Sequence, residues 1–213
     1  MKRTMAAAVF SGVFLLSACS GPTTGEQLDT VLKETFDAEK DYRDTQSEME
    51  KLEKNEQQLF ESIMALTQEQ QEEVKTQAEE AITSADERLA LLETEKKSMS
   101  SAEEEFKEID TVMESAKEED VKTDLTALKT KMQERFDAHS DFTAAYEQLT
   151  NLQKELYEML LDEEAEMQVL QEKTVEVNEQ NAKVQEAVTV FNEKTEQFNE
   201  LKNSTIENFT EKK

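Results

Sequence analysis

The chain has 213 residues, with 50 acidic side chains against 24 basic ones and a formal net charge of −26. Such a surface repels nucleic acid, anionic lipid headgroups and other polyanions, and it favours cations and basic partners. A single cysteine excludes an internal disulfide and a single histidine excludes Cys/His zinc centres, so a length typical of one domain must be held by packing.

Lys2 and Arg3 open the chain, and an apolar run from Ala6 to Leu16 follows them. A basic start, a short apolar stretch and small residues beyond it form an export signal. The run is shorter than the ~20 apolar residues a spanning helix needs. Leu16-Ser17-Ala18-Cys19 resembles a bacterial lipobox. The resemblance implies that residues 1–18 are a signal peptide that is removed. It also implies a diacylglyceryl group on Cys19, the lipid-attachment residue, which becomes the first residue of the mature chain. Two acyl chains suffice for stable membrane anchoring. Cleavage removes two basic residues and no acids, which takes the net charge to −28. No later stretch is apolar enough to span a bilayer, so the rest is expected outside the cell, on the outer face of the membrane.

Residues 19–25 read as the lipidated cysteine and a short tether, and residues 26–213 as one helical domain. All three glycines (Gly12, Gly21, Gly25) and the only proline, Pro22, lie in the first 25 residues. A β-domain of the remaining length would need glycine at turns with positive φ. Long helices rich in Glu, Lys, Gln, Ala, Leu and Met do not. The charge and low hydrophobicity also suit disorder, but the apolar residues recur at fixed spacing.

Thr24 with Gln27 is a capping-box pattern that would start the first helix. A seam then runs at sevens through Leu28, Thr35, Tyr42, Met49, Glu56 and Ile63. Its companion is Val31, Ala38, Thr45, Leu52, Leu59 and Leu66. These are heptad a and d positions. Thr67 with Gln70 is a second capping box and predicts a turn near 66–68. The next seam is Ala78, Ala85, Leu92, Met99, Phe106 and Met113, with an exposed patch or kink expected at Ser101–Glu104. Glu118-Glu119-Asp120 interrupts the pattern. A last seam runs Val121, Leu128, Arg135, Phe142, Leu149, Leu156, Glu163, Leu170, Val177, Val184, Phe191 and Phe198, broadened by Met132, His139 and Tyr146.

Taken literally, the last seam is one helix of about 90 residues, roughly 135 Å long, with nothing to pack on its far half. Four helices of about 47 residues put breaks near 70, 117 and 164, close to the signals at 67, 118 and the acidic Asp162-Glu163-Glu164. The expected fold is all-α, an elongated up-and-down antiparallel four-helix bundle. Three helices with a very long last one is the alternative.

A lipobox followed by a helical body without glycine or proline, about 190 residues long, resembles the YkyA family of Firmicutes lipoproteins, to which cell-wall binding is ascribed. The resemblance covers essentially the full length. It implies an extracellular helical bundle with a cell-wall role and carries no active site over. Its one site residue maps to Cys19.

No constellation for catalysis is present. A bundle di-iron site needs two Glu-x-x-His motifs, and the position three before His139 is Phe136. His139 reads as a packing residue at the seam edge. A Ser/His/Asp triad would need a loop-built pocket that this layout lacks. The acidic runs 103–105, 118–120 and 162–164 read as solvated faces and turns, and no EF-hand loop is available without a central glycine. The aromatics fall mostly on the seams and read as core. The two Asn-x-Thr patterns near the C-terminus carry no weight in a bacterial lipoprotein. No cofactor is expected.

The expected function is therefore that of a non-enzymatic, lipid-anchored envelope protein whose partner is a cell-wall polymer or another envelope protein. The alternative is a docking module for a basic protein or for divalent cations at the cell surface. Charge sets a condition on wall binding. Anionic wall polymers repel an acidic body, so contact needs bridging cations or a basic patch such as Lys202, Lys212 and Lys213.

Overall fold

The computed structural model describes residues 21–162 and 164–211. The lipobox and Cys19, the tether's first two residues, Glu163, Lys212 and Lys213 lie outside them. The described chain is helical with no strand, and forms four antiparallel rods running up, down, up, down. The first is α1 (Thr24–Ala38) with α2 (Lys40–Ala65). The second is α3 (Gln71–Phe106) with α4 (Ile109–Ser115). The third and fourth are α5 (Glu119–Met159) and α6 (Met167–Glu211). At 1.5 Å per residue, α5 spans about 60 Å. No described helix is long and apolar enough to cross a membrane.

The first helix starts one residue earlier than its expected cap. Thr23, not Thr24, is the N-cap. Its backbone N–H donates to Glu26 Oε2 at 2.8 Å, and the Glu26 N–H donates to Thr23 Oγ1 at 3.3 Å. Both Thr23/Glu26 and Thr24/Gln27 fit the capping pattern. A carboxylate also complements the positive end of the helix dipole, which an amide does not. The second expected cap is present, with the Thr67 N–H donating to Gln70 Oε1 at 3.2 Å.

The first rod narrows at Glu39 for a visible reason. Ser98 Oγ, from α3, donates to the Ala38 carbonyl at 2.7 Å and accepts from the Tyr42 N–H at 3.1 Å. It stands between the two groups that would otherwise share one i→i−4 bond, a recognised cause of helix breaks. The second rod tightens at Lys107–Glu108, where N–H groups bond three residues back. Ser101–Glu104, the expected exposed patch or kink, lies inside regular helix, with Ser101 and Glu104 exposed and Ala102 buried. The tighter turn lets Phe106, Ile109 and Val112, three apart, all stay buried. Val112 thus takes the core place expected for Met113, which is only partly buried.

No described residue, glycine included, has positive φ, so the helices end without needing glycine. Leu66 (φ −75°, ψ 156°) and Ala116 (φ −66°, ψ 133°) leave their helices in extended conformation. The third break spans residues 160–166, where Leu161, Asp162 and Ala165 make bonds three residues back. It turns the long last seam into two helices and decides between four and three.

The core is divided into three apolar clusters. The largest lies at the end where the chain enters, around Leu28, Phe106, Ile109, Leu125, Leu128 and Phe198. A middle cluster holds Met49, Leu92, Tyr146, Leu149 and Val184. The distal one holds Ile63, Ala78, Ala81 and Tyr157. All three are built from residues 28–209, so residues 21–213 carry their own core. Adjacent rods pack in chain order. α6 packs along α5 and meets α1, while it approaches α2 only sparsely, with Tyr42 against Phe191 at 6.3 Å.

Candidate functional site

Three buried polar layers separate the apolar clusters. In the basal layer, Arg135 of α5 grips Glu39 with both ends of its guanidinium, Nη1 to Oε1 at 2.6 Å and Nη2 to Oε2 at 3.1 Å. Its Nε donates to Thr195 Oγ1 on α6 at 3.2 Å. This fork geometry is the stronger kind of ion pair. In the middle layer, His139 Nε2 lies 2.8 Å from Glu95 Oε1, and Gln46 Nε2 donates to Glu95 Oε2 at 3.0 Å. Tyr42, Phe142 and Phe191 enclose the imidazole edge to face, with Phe191 at 5.3 Å.

The distal layer is the most connected. Arg88 Nη2 donates to Glu56 Oε1 at 2.9 Å and to Gln153 Oε1 at 2.7 Å, and its Nη1 donates to Tyr146 Oη at 3.1 Å. Tyr157 Oη donates to the same Glu56 oxygen at 3.1 Å, and Tyr146 Oη donates to Glu53 Oε1 at 2.6 Å. Burial pushes the Glu56 carboxyl above the usual carboxylate range, further than Arg88 and Tyr157 pull it down. Burial likewise raises both tyrosine hydroxyls, so both stay protonated donors at neutral pH. It also works against the charge on Arg88, but Tyr146, Glu56 and Glu53 outweigh it and hold the guanidinium protonated.

These layers open onto a groove. Three cavities of about 330, 370 and 520 Å³ run in line along α6, the first facing α1 and the start of α2, the other two between α2 and α6. Tyr42, Phe191 and Asn192 line both the basal and the middle cavity, while Glu53, Tyr146 and Val184 line both the middle and the distal one. The floor comes from α5 with Leu92 and Arg88 of α3. A separate cavity of about 380 Å³ lies where the chain enters, between Thr23, Ser115, Val121 and Phe209.

The residues singled out in the sequence are distributed as follows. His139 is 3 % exposed and packs as expected, but with a carboxylate partner that periodicity did not disclose. Glu56 and Arg135, polar residues on the seams, are buried and paired, each with a different partner. Arg88 and Glu95 were missed. They carried a signal, because Ala81, Arg88, Glu95, Ala102 and Ile109 also recur at sevens, and all are buried. Glu39 lies on no seam, and only the structure shows its burial. The acidic run 118–120 opens α5, where carboxylates complement the helix dipole. Among the described residues no three His, Cys, Asp or Glu side chains gather as a metal site. Lys202 of the suggested basic patch lies over the Phe198 ring at 5.9 Å.

Comparison with known proteins agrees with this fold. Residues 23–208 match the YkyA family, described as "Putative cell-wall binding lipoprotein". The "Uncharacterized lipoprotein YkyA" of Bacillus subtilis (strain 168) is 28% identical over 188 residues, which cover 88% of this chain and 84% of that protein. A crystal structure of a conserved protein of unknown function from Staphylococcus aureus superposes with a TM-score of 0.69 at 17% identity. That match covers 88% of this chain and 98% of the other, and it shows a shared fold.

Proposed function

The chain belongs to the YkyA family, and from that premise we propose a non-catalytic, lipid-anchored interaction protein standing on the outer face of the cell membrane and reaching into the wall. In this reading residues 1–18 direct export and are removed, Cys19 carries the diacylglyceryl anchor, and the bundle follows a tether of a few residues. The observation that carries the proposal is the polarity of the rod. The chain enters α1 at one end, beside Phe209 near the close of α6. The turns at 66–70 and 160–166 form the opposite end, about 60 Å away along α5. An anchor at Cys19 then places the distal turns far from the bilayer, at the depth of wall material.

The acidic surface governs how wall contact is made. Repulsion from anionic polymers is screened over about 8 Å at physiological ionic strength, so direct adhesion is weak. Divalent cations bridge carboxylate and phosphate oxygens, since both offer hard ligands. Residues 21–213 are expected to sediment with purified walls in Ca²⁺ or Mg²⁺ and to be released by chelator. Sedimentation that persists in chelator would replace bridging with direct recognition of glycan or peptide. Absence of sedimentation in both conditions would exclude the wall as the partner.

A further inference from the structure

We propose that the groove between α2 and α6 is a docking site for a basic amphipathic helix of a partner protein. The proposal deepens the reading of this chain as an interaction module and is independent of wall binding. A closed four-helix bundle would pack its fourth helix on its first along their whole length. Here that contact is made by α1 and by Tyr42 at the start of α2, whose ring meets Phe191 edge to face at 6.3 Å, and from Gln46 to Phe60 the two rods part over a trough. That stretch of α2 is about 21 Å long, or four helical turns.

The chemistry of the trough selects the occupant. Above the buried Met49, Leu92 and Val184 it is lined by Phe142, Val177 and Val188, which keep part of their surface open and suit the apolar stripe of an incoming helix. The one cation among the described residues that lines the middle and distal cavities, Arg88, is already neutralised from within by Glu56. The α2 wall adds Glu50 and Glu53, both exposed and neither in an ion pair among the described residues. The facing α6 wall offers Asn178, Asn181 and Asn192, which are uncharged. One wall is therefore negative, the other neutral and the floor apolar. Lysines or arginines flanking an apolar stripe complement that arrangement, and the net charge of −28 that remains without Lys2 and Arg3 steers such a segment towards the protein. An acidic helix meets repulsion at the α2 wall, and a purely polar peptide leaves Phe142, Val177 and Val188 uncovered.

Fluorescence anisotropy with residues 21–213 tests this. The probe is a labelled 14-residue peptide with leucines at i, i+3, i+4 spacing and lysines elsewhere. Controls are the same peptide with glutamate for lysine and one with serine for leucine. The Leu/Lys peptide alone is expected to bind. Glu50→Lys with Glu53→Lys is expected to weaken it about tenfold, while Glu104→Lys with Glu105→Lys, at exposed acids elsewhere, changes it less than about twofold. A photoreactive group on the peptide is expected to label α2 and α6 of the unaltered protein, a readout that needs no variant to fold. No binding, equal weakening by both pairs of reversals, or labelling outside the groove would each overturn the proposal.

Discussion

Arg135→Ala is expected to lower the unfolding free energy by about 3–5 kcal/mol, the usual cost of removing one partner of a buried ion pair. Arg135 and Glu39 are 6 % and 7 % exposed. Removing the guanidinium leaves a largely buried carboxylate without its two charge-assisted bonds. The same truncation releases Thr195 Oγ1, which ties α6 to the layer. Replacing both partners, Glu39→Met with Arg135→Met, is expected to be far milder, because no charge is then stranded. Urea unfolding followed by far-UV circular dichroism reads both. A loss below about 1 kcal/mol for Arg135→Ala would mean that the layer is solvated rather than structural.

Leu149→Asp is expected to cost about 4 kcal/mol or more. Leu149 is 5 % exposed in the middle cluster, against Met49, Leu92 and Val184. Aspartate there loses the apolar contacts and buries a carboxylate, two of the few mechanisms that produce losses of this size, and Arg88, which lines the same cavity, is already committed to Glu56. For a domain of this length that is a fall in Tm of about 10 °C or more. Val169→Asp is the matched control. Val169 is 46% exposed near the start of α6, and its replacement is expected to change stability by less than about 0.5 kcal/mol. Similar losses at both positions would contradict the assigned register.

Much of this fold is legible in the sequence because a heptad repeat reports which face of a helix is covered. Leu28, Thr35, Met49, Glu56 and Ile63 recur at sevens and are all buried. The breaks near 67, 118 and 163 are legible because a capping box and two acidic interruptions mark them. Charged residues on the seams, Glu56 and Arg135 among them, signal buried polar layers, yet periodicity does not name their partners. Arg88 meets Glu56 through the pairing of α3 with α2, a relation set by packing between rods. Glu39 was not legible, because its place depends on Ser98 entering the backbone of another helix. The groove was not legible either. A seam tells which face of α6 is apolar, not how far α6 stands from α2.

The central claim is that a lipid on Cys19 holds this bundle to the membrane by its basal end. Cys19→Ala in cells, followed by metabolic lipid labelling and membrane fractionation, tests it most directly. The label is expected to be lost, with the protein released from the membrane or retained as a larger precursor. A variant that stays membrane-bound at the mobility of the unaltered mature protein would contradict it.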